Sequence, residues 1–482
     1  MAPDRFQEQF DQIQAAVGEE VVLAAGPDDS PRFLYEKGCV LARRDEAPEV
    51  TQAIRRAFRR DRGSDRGVEL QEEDGPSGVS RIRVGPLNRA ERWSDRDVSD
   101  ALRAVDELER ANGRRMVSRN HIVSIAVNCC PGDEPVPVAR CGPPNPAVAK
   151  RVVGATAGPV SVLVIDTGLV ENYRSHPWMS LVEGEGKEIE LDSEGILKQY
   201  VGHGTFIAGL ISAVAPSAAI TVNGALVNAG AISEKCLGDL LLREMRPLNR
   251  WPDIINLSAG TLSTDHRTLM GLEDFMRELV TDHPETLLVA AAGNNGSDER
   301  FHPAAYADDP DYAGAVVSVG ALRKDGQDRA CFSGHGPWVT AYAPGERLVS
   351  AFTAVDDTPV PYDYQHSTYD HCRYGSAYDC TCQFPPHRGE LSEKMAASPN
   401  AIRERVEFDG LAQWSGTSFS APLVVGMIVN HMVRNNVTDS RQAAAELLTT
   451  PLSGRGVQGL TAPALIPSTW TPSSVQSVPV VP

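Results

Sequence analysis

The sequence predicts an α/β protein with a doubly wound, mostly parallel sheet, preceded by a small α+β N-terminal domain. Three observations carry this. From Val160 onward, short and nearly continuous apolar runs recur: VSVLVID (160–166), AITVNGALV (219–227), DIINLS (253–258), TLLVAAA (286–292) and AVVSVGA (315–321). Strands buried on both faces of a parallel sheet need apolar side chains on both sides, so their runs lose the alternation of a one-sided strand. Helical patterns lie between them, GTFIAGLISAV (204–214) and HRTLMGLEDFMRELV (266–280), and that alternation implies parallel crossovers. Before residue 128 the texture differs, with shorter strands and helices in a background rich in Arg, Asp and Glu.

The elements follow in chain order. Phe6, Phe10, Ile13 and Val17 recur at helical spacing and predict a short amphipathic helix. FLYEKGCVLA (33–42) reads as a strand, EVTQAIRRAFRR (49–60) as a helix and VSRIRV (79–84) as an alternating strand. DVSDALRAVDELERANG (97–113) reads as a helix closed by Gly113, and HIVSIAV (121–127) as a third strand. Residues 1–127 therefore form the small α+β domain. The segment 128–157, dense in Pro, Gly and Cys and without a period, reads as a linker. The doubly wound domain covers 158–468, interrupted over 355–412 by a polar insertion that holds Cys and His. The Pro/Ser-rich tail, 469–482, is expected to be disordered.

Bulk properties exclude several classes of function. A chain of 482 residues with 41% hydrophobic and 23% charged residues fits a soluble protein of more than one domain. The formal net charge of −18 argues against nucleic acid as a partner, because phosphate binding needs a basic surface. The apolar runs are too short to span a bilayer, so no membrane partner is expected. The N-terminus carries Asp4, Glu8 and Asp11 where a signal peptide needs a basic start and an apolar run, so the expected location is the cytoplasm. Nine cysteines leave at least one unpaired within the chain, which a reducing compartment accommodates.

Three segments carry the candidate chemistry. Asp166 ends the run VSVLVID, and functional groups of an open α/β sheet gather at the carboxyl ends of strands. His203 lies in GHGTFIAGLI, where small neighbours allow close backbone approach around an imidazole. Imidazoles titrate near neutrality, the range general-base work requires. Ser418 lies in WSGTSFSAPLVVGMIVNHMV, a small polar turn leading into an apolar helix with Pro422 expected in its first turn. Free N–H groups at a helix start favour developing negative charge. Each residue alone has an ordinary reading: a turn aspartate, a satisfied core histidine, a helix cap.

Together, IDTG, GHGTFIAG and SGTSFSAP, in the order Asp, His, Ser, resemble the three signature blocks of the subtilisin-like serine peptidase family. AAAGNNG (290–296) resembles the family's oxyanion segment, and INLSAGT (255–261) is similar to the segment that lines its substrate cleft. The resemblance implies a sheet of subtilisin type and a serine endopeptidase acting on protein or peptide substrates. It implies Ser418 as nucleophile forming an acyl-enzyme, His203 as base and Asp166 as the group orienting that base. It implies Asn294 and the Ser418 N–H as oxyanion donors. Ser258, Ala259 and Gly260 would pair with the substrate backbone. Ala291, Ala292 and Gly293 would wall the first specificity pocket, with room for a sizeable side chain. The N-terminal block resembles a family prodomain in size, position and element types, which implies an intramolecular inhibitor; the alternative is a retained regulatory domain that senses or binds a partner. No cofactor is required. Calcium, a frequent stabiliser of the family, finds no contiguous oxygen-ligand loop here. The alternative is a catalytically silent peptide-binding or signalling module on the same fold, against which the complete set of four residues argues.

The remaining features weigh less. His302-Pro303 stands where the family often has an aromatic-proline pair in cis; with His in place of the aromatic, an ordinary trans turn is the default. Cys372, Cys380 and Cys382, near His366, His371 and His387, match no strong zinc spacing, so free thiols or a disulfide are expected and no metal site. The insertion's place before the serine block makes it a candidate lid. Cys129, Cys130 and Cys141 read as exposed linker thiols. Arg55, Arg56, Arg59, Arg60 and Arg62 read as a solvated helix face balanced by nearby acids.

Overall fold

The apolar runs become strands of one parallel sheet in a computed structural model. It describes residues 10–11, 13–14, 21–25, 31–71, 75–85, 96–125, 134–138, 142–152, 158–187, 189–226, 230–263, 268–355, 359–364, 404–449 and 462–472. The strands used below are β1 (Val21–Ala25), β2 (Pro31–Arg43), β3 (Val68–Gln71), β4 (Val79–Val84), β5 (Val117–Ser124), β6 (Ser161–Ile165), β7 (Val182–Gly184), β8 (Ala219–Asn223), β9 (Ala231–Ser233), β10 (Ile254–Leu257), β11 (Leu287–Ala291), β12 (Val316–Leu322) and β13 (Ala341–Pro344). The helices are α1 (Ala47–Arg62), α2 (Arg96–Asn112), α3 (His203–Val214), α4 (Glu234–Met245), α5 (Glu273–Thr281), α6 (Thr417–Asn435) and α7 (Ser440–Thr449).

Among the described residues the main sheet runs β13-β12-β11-β10-β6-β8-β7, with every neighbouring pair parallel. Its winding reverses at β6: β7 and β8 lie on one side, β10 to β13 on the other. Every residue of β10, β11 and β12 is buried, which explains the missing alternation in their sequences. α3 is buried along its whole length and packs against α6 and the sheet.

The N-terminal part is antiparallel, in the order β5-β2-β4-β3 with β1 on β2. Val50, Ile54 and Phe58 of α1 and Val98, Ala101 and Val105 of α2 share one core with Val40, Ile82 and Val84 of the sheet. α1 ends at Gly63, whose φ of +72° lets its N–H reach the Arg59 carbonyl. The arginines of α1 are spent locally: Arg59 pairs with Asp65, Arg60 with Asp61, and Arg62 with Asp97 and Asp100. Arg55 donates to the Val68 carbonyl. The run is a balanced face, as its acidic neighbours predict.

The N-terminal sheet does not stop at its own edge. β9, from the larger part of the chain, adds to β5 antiparallel, with Ala231 opposite Ser124 and Ser233 opposite Ile122. Side chains reinforce the joint. Arg43 and Arg115 both reach Glu273 at the start of α5. The Ser77 N–H donates to Asp239 of α4 at 2.9 Å. His121 lies 3.3 Å from Glu234, and both are almost fully buried.

Several expectations shift. The strand read at 121–127 is β5, centred several residues earlier, because it must pair with β2 as well as β9. The helix read from 266 begins at Glu273, after a 3₁₀ turn at Met270–Leu272. In the segment read as a linker, Val136–Pro137 pairs with Leu411–Trp414, and Asn145 exchanges two backbone hydrogen bonds with Val349. The ends of the predicted insertion are ordered strands: Val360–Tyr364 pairs with Glu404–Phe408, and Leu411–Trp414 pairs with Leu348–Ala351. Cys372, Cys380, Cys382 and the histidines between 366 and 387 lie outside the described residues, as do Cys129, Cys130 and Cys141. Of the tail read as disordered from 469, residues 469–472 are ordered, and 473–482 lie outside the described residues. Trp470 is buried in the core, and the Thr469 carbonyl accepts from the Ala147 N–H, so one aromatic anchors an otherwise aperiodic stretch. Ile13 is buried, and residues 10–11 and 13–14 are helical, within the predicted first helix. Among the described residues, no three His, Cys, Asp or Glu groups cluster as metal ligands. No helix among them is long and apolar enough to cross a membrane.

Candidate active site

Three neighbouring strands deliver the site. Ile165 of β6 pairs with Leu257 of β10, and Leu257 pairs with Ala290 of β11. Asp166, Ser258 and Ala291–Gly293 therefore emerge side by side at the carboxyl edge of the sheet, next to the strand where the winding reverses. A crevice opens at such a point because the crossovers on either side lead away from each other.

Asp166 is fully buried, and its Oδ1 accepts from the Thr167 N–H at 2.7 Å and lies 2.8 Å from Nδ1 of His203. A buried carboxylate on Nδ1 holds the imidazole with its proton on that nitrogen and leaves Nε2 as the acceptor. His203 opens α3, and the glycines beside it permit the approach. A Cβ on Gly204 would lie 2.4 Å from the Gly168 carbonyl oxygen, and Gly202, at φ +84°, abuts the Phe352 ring. Thr167 Oγ1 accepts from the Gly204 N–H, tying the Asp166 turn to the helix start. Aromatic rings enclose the imidazole: Trp414 edge-on at 5.3 Å and Phe419 at 5.1 Å between centroids.

Ser418 is the second residue of α6 and is 3% exposed. Its hydroxyl donates to the Ser258 carbonyl at 3.2 Å rather than to His203. The Ser258 hydroxyl returns a bond of 2.8 Å to the Ser418 carbonyl. Pro422 explains that return bond. It lies in the second turn of α6, later than its expected first-turn position, and it has no N–H to give to the carbonyl four residues earlier. The Ser418 carbonyl is thereby left for Ser258, and the bond ties the serine helix to the end of β10.

Asn294 is held by Thr417. Its Oδ1 accepts from both the Thr417 N–H and the Thr417 hydroxyl at 2.9 Å. A backbone N–H can only donate, so this end of the amide is oxygen, and Nδ2 is turned to the Gly416 side.

Of Ser258, Ala259 and Gly260, expected to pair with a substrate backbone, Gly260 is paired with a strand of the chain itself. Gly260 exchanges two backbone hydrogen bonds of 3.0 Å with Ser124, at the end of β5, and the Ile125 N–H donates to the Gly230 carbonyl at 2.8 Å. The N-terminal strand is thus clamped between Gly260 on one side and Gly230–Ala231 on the other. Ala291, Ala292 and Gly293 lie next to this edge, but the room predicted between them and Gly260 is taken. The ring of Phe301 lies where a Cβ on Gly260 would come within 2.4 Å of it, and one on Gly293 within 2.9 Å. Phe301 escaped sequence reasoning. Its only signal was its place before His302-Pro303, a bond that is cis rather than the expected trans.

Comparison with known proteins agrees with this architecture. Residues 158–462 match the Subtilase family, peptidase S8. A thermophilic serine proteinase of Bacillus sp. (strain AK1) is 32% identical over 207 residues, 40% of this chain and 45% of that protein. A thermostable alkaline protease of Halalkalibacterium halodurans is 31% identical over 40% of this chain and 49% of its own length. The chain spans about half the length of the curated relatives it matches. Fervidolysin from Fervidobacterium pennivorans, described as a keratinolytic enzyme related to subtilisin, shares the fold with a TM-score of 0.50 at 16% identity, over 92% of this chain and 62% of that one. The order and spacing of the site residues, the sheet that carries them and the match over most of the chain lead to one conclusion: this protein belongs to the subtilase family of subtilisin-like serine peptidases.

Proposed function

We propose that the chain is a serine endopeptidase in which Ser418, His203 and Asp166 act as the triad and Asn294 as oxyanion donor. The observation that carries the reading is the buried 2.8 Å contact between Asp166 and His203 Nδ1, set beside a serine at the start of an apolar helix. In the reaction, the Ser418 hydroxyl leaves the Ser258 carbonyl and gives its proton to His203 Nε2 as Oγ attacks the peptide carbonyl. The carbonyl oxygen takes up the negative charge and is met by the Ser418 N–H and by Asn294 Nδ2. Collapse of this intermediate breaks the C–N bond, and His203 passes the proton to the departing amine. Water, deprotonated by the same imidazole, then hydrolyses the acyl-enzyme and returns the serine. These steps draw only on side chains and backbone N–H groups.

The N-terminal part acts as an intramolecular inhibitor in this reading. Support comes from the pairing of Ser124 with Gly260, the edge on which a substrate backbone would add as a strand. Labelling with a fluorophosphonate, together with casein hydrolysis, tests the peptidase. Wild type is expected to label and to digest casein, and Ser418→Ala to do neither while keeping its circular dichroism. Folded wild type that never labels defeats the reading.

A further inference from the structure

We infer that Phe301 restricts this enzyme to small residues, such as alanine, glycine or serine, on the acyl side of the bond it cuts. The inference rests on the peptidase reading and adds the class of substrate.

The docked strand supplies the register. Ser124 pairs with Gly260 in an antiparallel bridge. In an antiparallel ladder each step forward on one strand is a step back on the other, so a peptide in this register sets the residue two positions on opposite Ser258. The Ser258 carbonyl holds the Ser418 hydroxyl. The residue opposite Ser258 is therefore the one whose carbonyl meets the nucleophile. In an extended chain its side chain falls on the same side as that of the residue opposite Gly260.

The space available to that side chain lies between the segment that follows β10 and the segment that follows β11. Phe301 closes it. Its ring sits over the open faces of both Gly260 and Gly293, and the residue is only 5% exposed. The ring has little freedom to withdraw. Phe301 and His302 pair antiparallel with Leu262 and Thr261, directly after Gly260. The side chain also packs in a cluster with Ala290, Ala292, Ala304 and Trp338. A bulky substrate side chain would have to displace a packed aromatic held at both backbone and ring, whereas a methyl group asks for no such movement.

The test compares two peptide p-nitroanilides that differ only in the last residue, alanine or phenylalanine, using the full chain. Docking of the N-terminal strand lowers both rates alike, so the ratio of kcat/KM values reads the pocket. Wild type is expected to favour alanine by about tenfold or more, the scale on which pocket size discriminates. Phe301→Gly is expected to shift the ratio toward phenylalanine by a similar factor, and Phe301→Leu by less. A wild type that prefers phenylalanine overturns the inference without any variant. So does a ratio unchanged in an active Phe301→Gly or Phe301→Leu protein; in both cases the peptidase reading stands. Failure to cleave either peptide, with no labelling at Ser418, overturns the peptidase reading and this inference together.

Discussion

At the residue scale, the proposed mechanism divides the work between groups that react and groups that aim them. Asn294 is useful only if its amide nitrogen faces the oxyanion, and Thr417 enforces that by occupying Oδ1 with two donors. Asn294→Ala is expected to lower kcat by about 10²–10³-fold with little change in KM, a figure borrowed from the loss of the same kind of donor in a subtilisin. Thr417→Val keeps the N–H bond but loses the hydroxyl bond. It should lower kcat by a smaller factor, again with KM nearly unchanged, because the donor is misaimed only part of the time. Steady-state kinetics on one peptide checks both; a rise in KM at constant kcat would move Asn294 from stabilising the transition state to ground-state binding. The proposed triad Asp166, His203 and Ser418 and the proposed donor Asn294 were nominated from local motifs, whose small residues recur in a recognisable order. Thr417 and Phe301 were not, because their roles depend on groups far away in the chain.

At the scale of elements, the proposed inhibition makes the clamp on β5 the feature that would determine whether the cleft is open. The strand contributes backbone hydrogen bonds rather than large side chains, so removing a single donor should be felt. Ser124→Pro deletes the N–H given to Gly260, and one hydrogen bond is worth about 0.5–1.5 kcal/mol. The full chain should then turn over an external peptide up to about tenfold faster. An unchanged rate would show that β5 does not limit access. A second joint responds to pH. Burial pushes the Asp239 carboxyl up, but hydrogen bonds from Lys235 and Ser77 outweigh this and hold it below its ordinary value of 3.8. In the unfolded chain, without Lys235 and Ser77 in place, the group would bind a proton more readily. Its contribution to the folded state is therefore whole above pH 3.8 and is lost as the pH falls through the lower folded value. Hydrogen exchange in Ser418→Ala, corrected for intrinsic rates, should show residues 75–78 losing protection over that acidic window. Asp239→Asn should abolish the pH dependence. The sequence announced α1, β4 and α2 through their periodicity. It did not announce β9, whose three residues become a strand only because β5 offers them an unpaired edge.

At the scale of the whole molecule, close backbone contacts link the sheet, α3 and α6 into one body. Gly204 makes one of them beside His203. A methyl group there would lie 2.4 Å from a backbone oxygen that has no side-chain freedom to yield. Alanine would gain up to about 1 kcal/mol of helix propensity, but overpacking costs about 1–3 kcal/mol, so the loss wins. Gly204→Ala, made in a Ser418→Ala background to prevent self-digestion, should unfold at lower denaturant concentration with an unchanged slope. An equal or higher midpoint would mean that the Asp166 turn and α3 can separate without cost.

The amino-acid order determined, without any coordinates, the parallel sheet, the turns that end β6 and begin α3 and α6, and the identity of the polar groups at those turns. These are set by neighbours within a few residues: apolar content selects buried strands, and glycine beside a polar residue selects a tight turn at a strand end. Tertiary structure alone decided that β5 pairs with Gly260, that the Phe301 ring packs against Gly260 and Gly293 and that Trp470 is buried in the core. Each of these depends on a contact between segments far apart in the chain, where burial of an aromatic ring or pairing of an open strand edge selects the partner. Such contacts leave no period and no motif along the sequence.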